Sequence, residues 1–351
     1  MATYKNLRKV LNLPTLSANP SSGVNGEMYF NTGDSALYIY DGEWKKVTQS
    51  AIPFEFQGTE YLWTMRNNGS SDDYISKAAI ASDANWSDTG RNNFQKTSPS
   101  STVSKSSTAA FVAGGYDATT TKVQSFTFAG SANAVEHCAL SNTASIYVTA
   151  GATSMTNGYA LGGYERHGSS NTTQVQKWVY SSNSAATLVG NLASHVRSNA
   201  SAATQSSSNA YVCGGSNSSN SRVNSIQKWN FASESTATNS GTLTSVKNYT
   251  AEASDINGAG YGYIAGGADN SANLNVIERV AFASDGNGSD VGDLTYASKE
   301  SVGHSSNTHG YVSEGSAAGN GKYQKYAFAA SGNASAITAT NQAGDPTGTQ
   351  S

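Results

Sequence analysis

A strand that ends in two glycines recurs along this chain and limits what it can fold into. It reads Gly262-Tyr263-Ile264-Ala265-Gly266-Gly267 at its clearest and returns as Phe111 to Gly115, Tyr159 to Gly163 and Tyr211 to Gly215. A weaker copy runs from Tyr311 to Gly315, and Tyr61-Leu62-Trp63-Thr64-Met65 fits the front without glycines. The leading aromatics stand at 61, 111, 159, 211, 263 and 311, a spacing of 48 to 52 residues. A self-similar period of this size marks an array, a solenoid or a propeller.

A second marker keeps step with the first. Large apolar residues at Ile80, Phe128, Tyr180, Phe231, Phe282 and Phe328 follow each aromatic strand and lead into a polar turn such as Ala283-Ser284-Asp285-Gly286-Asn287. The pattern predicts four short strands per unit and an all-β fold. The Phe128, Tyr180, Phe231 and Phe282 series is expected to be fully buried between neighbouring units. The mostly polar loops after the glycine doublets vary while their flanks stay constant, as a recognition surface does. Their candidate contact residues are Tyr116, Asp117, Tyr164, Arg166, His167, Arg222 and Asp269.

Residues 1–50 differ. Pro14 and Pro20 bracket an extended linker, and three short aromatic strands follow between Gly26 and Val47, separated by the turns at Asn31 to Asp34 and Asp41-Gly42. Three strands with this much aromatic surface cannot bury it alone, so the meander is expected to need a partner. Tyr29, Phe30, Leu37, Tyr38, Tyr40 and Trp44 are its candidate attachment and oligomerisation residues.

Charged residues make up only 13% of the 351, and the formal net charge is -3, which gives no electrostatic case for nucleic acid or an anionic membrane. No apolar run is long enough to span a bilayer. Cys138 and Cys213 do not form a disulfide framework and read as small buried residues. No nucleophile elbow, Walker loop, zinc helix or dinucleotide fingerprint is present, so no catalytic residue, metal ligand or cofactor is expected. The acidic turns at Asp83 to Asp88 and Asp285 to Asp290 offer oxygen ligands but read as Asx-type turns rather than calcium loops.

Two resemblances bear on these residues. The stretch from Gly26 and Glu27 through Tyr29, Asn31, Thr32, Leu37, Tyr38, Tyr40 and Gly42 to Trp44 and Val47 resembles short modules of bacteriophage tail-fibre and other virion appendage proteins. The glycine-doublet repeats resemble the kelch family, although the family's tryptophan on the fourth strand is missing and Trp178 and Trp229 lie on the third. Kelch-like arrays with the Phe282-to-Asn287 phrase resemble structural proteins of cyanobacterial phages.

Together these imply a virion attachment module at 1–50, a six-bladed kelch-like β-propeller at 51–341 and a flexible tail at 342–351. The closing strand is left open between residues 51–58 and 335–341. The implied role is that of a phage structural protein, not an enzyme, located in the virion. It binds other virion proteins, itself as a homotrimer, and a host-surface glycan or protein. A capsid decoration, collar or baseplate protein is the alternative, with a polysaccharide depolymerase behind it.

Overall fold

The computed structural model describes residues 13–47, 56–67, 73–91, 102–115, 121–130, 133–141, 146–147, 149–165, 170–194, 203–257, 260–313, 323–337 and 345–351. The protein is all-β and divides into two compact units, Met1–Phe54 and Glu55–Ser351. No helix among the described residues is long and apolar enough to cross a membrane.

The first unit is a four-stranded sheet. Thr15–Leu16, expected as linker, pairs parallel with Met28–Asn31, and Ala36–Tyr40 and Trp44–Lys46 follow antiparallel. Because side chains alternate along a strand, the paired residues Tyr29 and Tyr38 share one face and Phe30 and Leu37 the other. Tyr29 stacks on Tyr38 at 5.5 Å, and Trp44 meets the edges of both Tyr29 and Tyr40. The chain itself covers much of that cluster. A Cβ on Gly23 would fall 2.6 Å from the Tyr40 ring, and the Tyr29 hydroxyl donates to Asn19. Tyr29 is therefore buried within the chain, Leu37 is buried on the other face, and Phe30, Tyr38, Tyr40 and Trp44 remain half-buried.

The second unit contains six four-stranded antiparallel sheets. Sheet 2 is Thr102–Lys105, Ala109–Ala113, Lys122–Thr127 and Val135–Ala139. Sheet 3 is Ala150–Thr153, Asn157–Leu161, Gln174–Val179 and Thr187–Asn191. Sheet 4 is Thr204–Gln205, Asn209–Cys213, Ser225–Asn230 and Thr238–Thr242. Sheet 5 is Ala251–Asp255, Tyr261–Ala265, Val276–Ala281 and Ser289–Asp293. Sheet 6 is Val302–Ser305, His309–Ser313, Tyr323–Ala327 and Ser335–Ile337.

Sheet 1 departs from this sequential order. Tyr61–Asn67, Asp73–Ala79 and Ser87–Arg91 are completed by Asp345–Gln350, which pairs antiparallel with Tyr61–Asn67. Residues 345–350 are thus a strand rather than part of a free tail, and neither 51–58 nor 335–341 supplies the missing one.

Strand register also corrects the first repeat. Tyr159, Tyr211, Tyr263 and Tyr311 face Lys177, Lys228, Arg279 and Lys325 across the sheet, and it is Trp63, not Tyr61, that faces Lys77. With two aromatics two residues apart, alternation alone cannot choose between them.

Neighbouring sheets are joined by the two markers. Rings pair as Trp63 with Phe128, Phe111 with Tyr180, Tyr159 with Phe231, Tyr211 with Phe282 and Tyr263 with Phe328, at 4.5–5.5 Å. Tyr311 and Ile80 share a cluster that brings sheet 6 onto sheet 1. The leading aromatic is the deeply buried partner, whereas Phe128, Tyr180, Phe231 and Phe282 are only half-buried at the joint's rim. Full burial falls instead to third-strand residues such as Trp178 and Trp229. Trp229→Ala should therefore cost about 3–5 kcal/mol of unfolding free energy and Phe282→Ala distinctly less, in the order a urea titration would read.

The polar turn after each second marker also serves the joint. Asp285 has a positive φ of 52°, binds the Lys228 ammonium of sheet 4 at 2.8 Å, and its neighbours donate from Gly286 N–H to Ser240 O and from Gly288 N–H to Thr242 O. The next sheet's turn thereby occupies part of the outer edge of sheet 4. Glu234 with Lys177 and Asp83 with Lys325 repeat the ion pair at two other joints. Asp83 and Asp285 are therefore committed to lysines, while Asp88 accepts from Ser76 Oγ and Asp290 from Gly292 N–H, as a turn residue does.

A fully buried third-strand polar residue makes a third connection. Gln176, Gln227 and Gln324 accept N–H groups of Ser141, Ser194 and Thr295, which follow the preceding sheet's fourth strand. In sheets 3 and 4 a bulge in the adjoining pairing falls just before this residue. In sheet 5 the slot holds Glu278, which accepts from Thr244 N–H and is ion-paired to Lys247 with both side chains fully buried. Lys247 occupies the place of Ser298 one sheet on, since Gly215 N–H donates to Lys247 O as Gly267 N–H does to Ser298 O. Lys247→Ser alone should cost about 3–5 kcal/mol by stranding the carboxylate. Lys247→Ser with Glu278→Gln reproduces the neighbouring joint and should recover most of that loss; a double-mutant cycle in urea checks it.

Candidate functional site

In the four repeats with a full glycine doublet the second strand ends at a glycine of positive φ: Gly114, Gly162, Gly214 and Gly266 lie between 63° and 71°. The loops that follow emerge at one end of the strands. Tyr116, Asp117, Arg166 and His167 lie outside the described residues. Tyr164, Arg222 and Asp269 are described, and contacts between loops link their surroundings into one surface.

Tyr164–Glu165 pairs with Ser170–Asn171 and with Ile146–Tyr147 in a small three-stranded sheet. Asn171 Nδ2 donates to Asn217 O of the next loop at 2.8 Å. That loop is held by its own turn, in which Asn217 Oδ1 accepts the Ser219 and Ser221 N–H groups. Arg222 then bridges onward, donating from Nε to Asn248 Oδ1 at 2.9 Å and from Nη1 to Asn270 Oδ1 at 3.1 Å. Asp269 is a half-buried turn residue. Hydrogen bonds from Ser271 and Ala272 N–H hold its carboxyl below the usual range, with a smaller pull from Arg222.

Among the described residues the surface is thus one guanidinium with asparagine amides and serine hydroxyls, held by loop-to-loop bonds. Such groups recognise hydroxyl, carbonyl or carboxylate oxygens by hydrogen bonding. Asn171, Asn217 and Asn270 carry it, with the buried Asn248 anchoring Arg222; none was singled out from sequence, where asparagine is too common to stand out. Among the described residues no three His, Cys, Asp or Glu side chains are grouped to hold a metal ion. Cys138 and Cys213 are buried free thiols, both with pKa values raised by burial.

The first strands of the six sheets converge on a different place. They are linked in order by side chains that accept the N–H of the preceding sheet: Thr153 from Lys105, Gln205 from Thr153, Ser254 from Gln205, Ser305 from Ser254 and Gln350 from Ser305. Lys105, whose ammonium cannot accept, stands where the next link would fall. The space between these strands measures only about 10 Å³, room for about one water. It is lined by Val103, Gly151, Ala203, Glu252, Gly303 and Gly348. Gly303 runs so close to sheet 5 that a Cβ would fall 2.1 Å from Glu252 O.

Among the described residues Glu252 is the one charged member of that lining. Burial pushes its carboxyl up to about 8, against the opposing pull of the Thr204 N–H and Thr250 hydroxyl bonds. Nearby in the succession, His304 is buried with its imidazole pushed down to about 4 and Nδ1 on Thr349 O.

Compared with known proteins, the chain matches no protein-family model and no curated sequence.

Proposed function

We propose that this chain is a bacteriophage structural protein that binds a host surface component, most simply a glycan, without chemistry. In this reading the six sheets are the blades of a kelch-like β-propeller, closed by the pairing of Asp345–Gln350 with the first-made strands. The return of sheet 6 onto sheet 1 through Lys325 and Asp83 supports that architecture. The glycine-doublet loops are the binding face, and residues 1–50 attach the protein to the particle and to two further copies.

The observation that carries the binding reading is the loop surface running from Asn171 through Asn217 and Arg222 to Asn248 and Asn270. Hydrogen-bonding groups held in place before a ligand arrives lose little freedom on binding. The central space, by contrast, is too small to hold a substrate.

Purified protein should adsorb to host cells, and Arg222→Ala should weaken adsorption several-fold while leaving the melting temperature nearly unchanged. Host polysaccharide incubated with the protein should keep its size; shortening would replace this reading with a depolymerase. Electron microscopy of whole particles should show the array at the tail or on outward fibres. Density flat on the capsid or in the collar would make it a decoration protein instead. Removing residues 1–54 should leave a folded monomer, whereas the full chain sediments as a trimer; an unfolded product would overturn the division of roles.

A further inference from the structure

The strands have a second end, away from the glycine doublets, and one joint there opens into a cleft. Between sheets 3 and 4 a cavity of about 370 Å³ is bounded by Thr156, Asn157, Ser207, Ser208, Phe231 and Glu234, among others. This volume lies at the low end of the roughly 300–1,000 Å³ of small-ligand sites.

The lining selects a chemistry. Its carboxylate, Glu234, is held through both oxygens by the Lys177 ammonium at 2.9 and 2.8 Å, so it presents no unneutralised charge to a cation. Among the described residues the lining contains no cation to attract an anion. The walls are mixed, with the hydroxyls of Ser154, Thr156, Ser207 and Ser208 and the Asn157 amide beside apolar side chains. Thr156 Oγ1 and Ser208 Oγ accept from Asn157 and Asn209 amides at 2.9 and 3.1 Å, which leaves their protons to donate outward. Ser207 is exposed, and its hydroxyl has no protein partner among the described residues. The same lining includes the half-exposed Phe231 ring, stacked on Tyr159 at one face, and the exposed Met155 side chain. A ligand with both hydroxyls and an apolar C–H face matches this mixed lining.

We infer that this cleft binds a neutral saccharide, with a pyranose ring against Phe231 and Met155 and its hydroxyls on Thr156, Ser207 and Ser208. The site is separate from the loop surface and does not depend on it.

Saturation-transfer NMR on the full chain, with methyl glycosides of glucose, galactose, mannose and N-acetylglucosamine as probes, tests the inference. At least one glycoside should receive saturation from the wild-type protein and lose it in Ser207→Arg, which fills the cleft from an exposed position and should keep the wild-type melting temperature. No saturation of any glycoside, or saturation unchanged in Ser207→Arg, overturns the cleft. Signal that survives Ser207→Arg but disappears in Arg222→Ala would also overturn it, while leaving the loop reading standing. Loss in Ser207→Arg with host adsorption intact would establish the cleft as a second, independent site.

Discussion

A chain ending at Asn341 is expected to lose cooperative unfolding and to bind hydrophobic dyes, although it lacks only ten of 351 residues. Those residues include the whole first strand of sheet 1. Asp345–Gln350 pairs with six residues of Tyr61–Asn67, and Ser351 Oγ accepts the Trp63 indole N–H at 2.9 Å. Trp63 and Met65 are fully buried, and without this strand they lie beside an unpaired edge. Gly348 and Gln350 also leave the central lining, and the link from Ser305 N–H to Gln350 goes with them.

The decisive control moves the strand rather than removing it. Ser351 accepts from Thr59 and Glu60 N–H, so residues 345–351 can be spliced directly ahead of Thr59. The resulting turn matches Ser106-Ser107-Thr108-Ala109 of sheet 2 in length. This permuted chain should recover a single denaturation transition near that of the full protein. If the truncated chain already melts like the full one, the strand is dispensable and the account of sheet 1 fails.

Glu252→Gln should stabilise the protein strongly at pH 8 and hardly at all at pH 4. In the unfolded chain this carboxyl has its ordinary pKa of 4.5; in the fold it is raised to about 8. Below about 4.5 both states hold the proton and the carboxyl contributes its full stability. As pH rises from there the unfolded state releases the proton while the folded state keeps it. Stability falls by about 1.4 kcal/mol per pH unit until the folded carboxyl also ionises near 8. The total is roughly 5 kcal/mol at most, removed by a glutamine that keeps the Thr204 and Thr250 contacts.

His304 slopes the other way. Its folded pKa is lowered to about 4, so its contribution is present above pH 6.5 and lost as pH falls toward 4. The two slopes oppose each other between about 4.5 and 6.5, so the wild-type profile alone does not isolate Glu252. The difference between wild type and Glu252→Gln does, measured by urea unfolding at several pH values. A pH-independent difference would show that the carboxyl is not buried as described.

Much of the β architecture was legible because two independent markers repeat in step. Glycine doublets end the second strands, and the Phe-Ala-Ser-Asp-Gly-Asn phrase ends the third and supplies the turn that joins sheets. The closing strand was missed because Asp345-Pro346-Thr347-Gly348-Thr349-Gln350 contains no large apolar residue. Gly348, Thr349 and Gln350 are buried through small side chains and a side-chain amide, which hydropathy does not register. A signal was nevertheless present: Thr349-Gln350-Ser351 repeats Thr204-Gln205-Ser206, the first strand and turn of sheet 4.

The buried pair was also half visible. Glu278 stands in the Ile-Glu-Arg phrase where its neighbours read Val-Gln-Lys and Ile-Gln-Lys, although Lys247 lies 31 residues upstream with no local pattern to connect them. The loop surface was legible only as a region. Its position follows from the glycine doublets, but which asparagine reaches which neighbour depends on loop conformations that spacing does not encode.

The strip formed by Gly286 and Gly288 along the outer edge of sheet 4 has a consequence for crowded assemblies. Outer strands are where foreign chains add themselves to a sheet, and polymerisation begins there when many copies are held close together. Here the exposed carbonyls of Ser240 and Thr242 are already taken by the adjoining repeat. Numerous copies can therefore stand side by side at high local concentration without zipping into fibres along this edge.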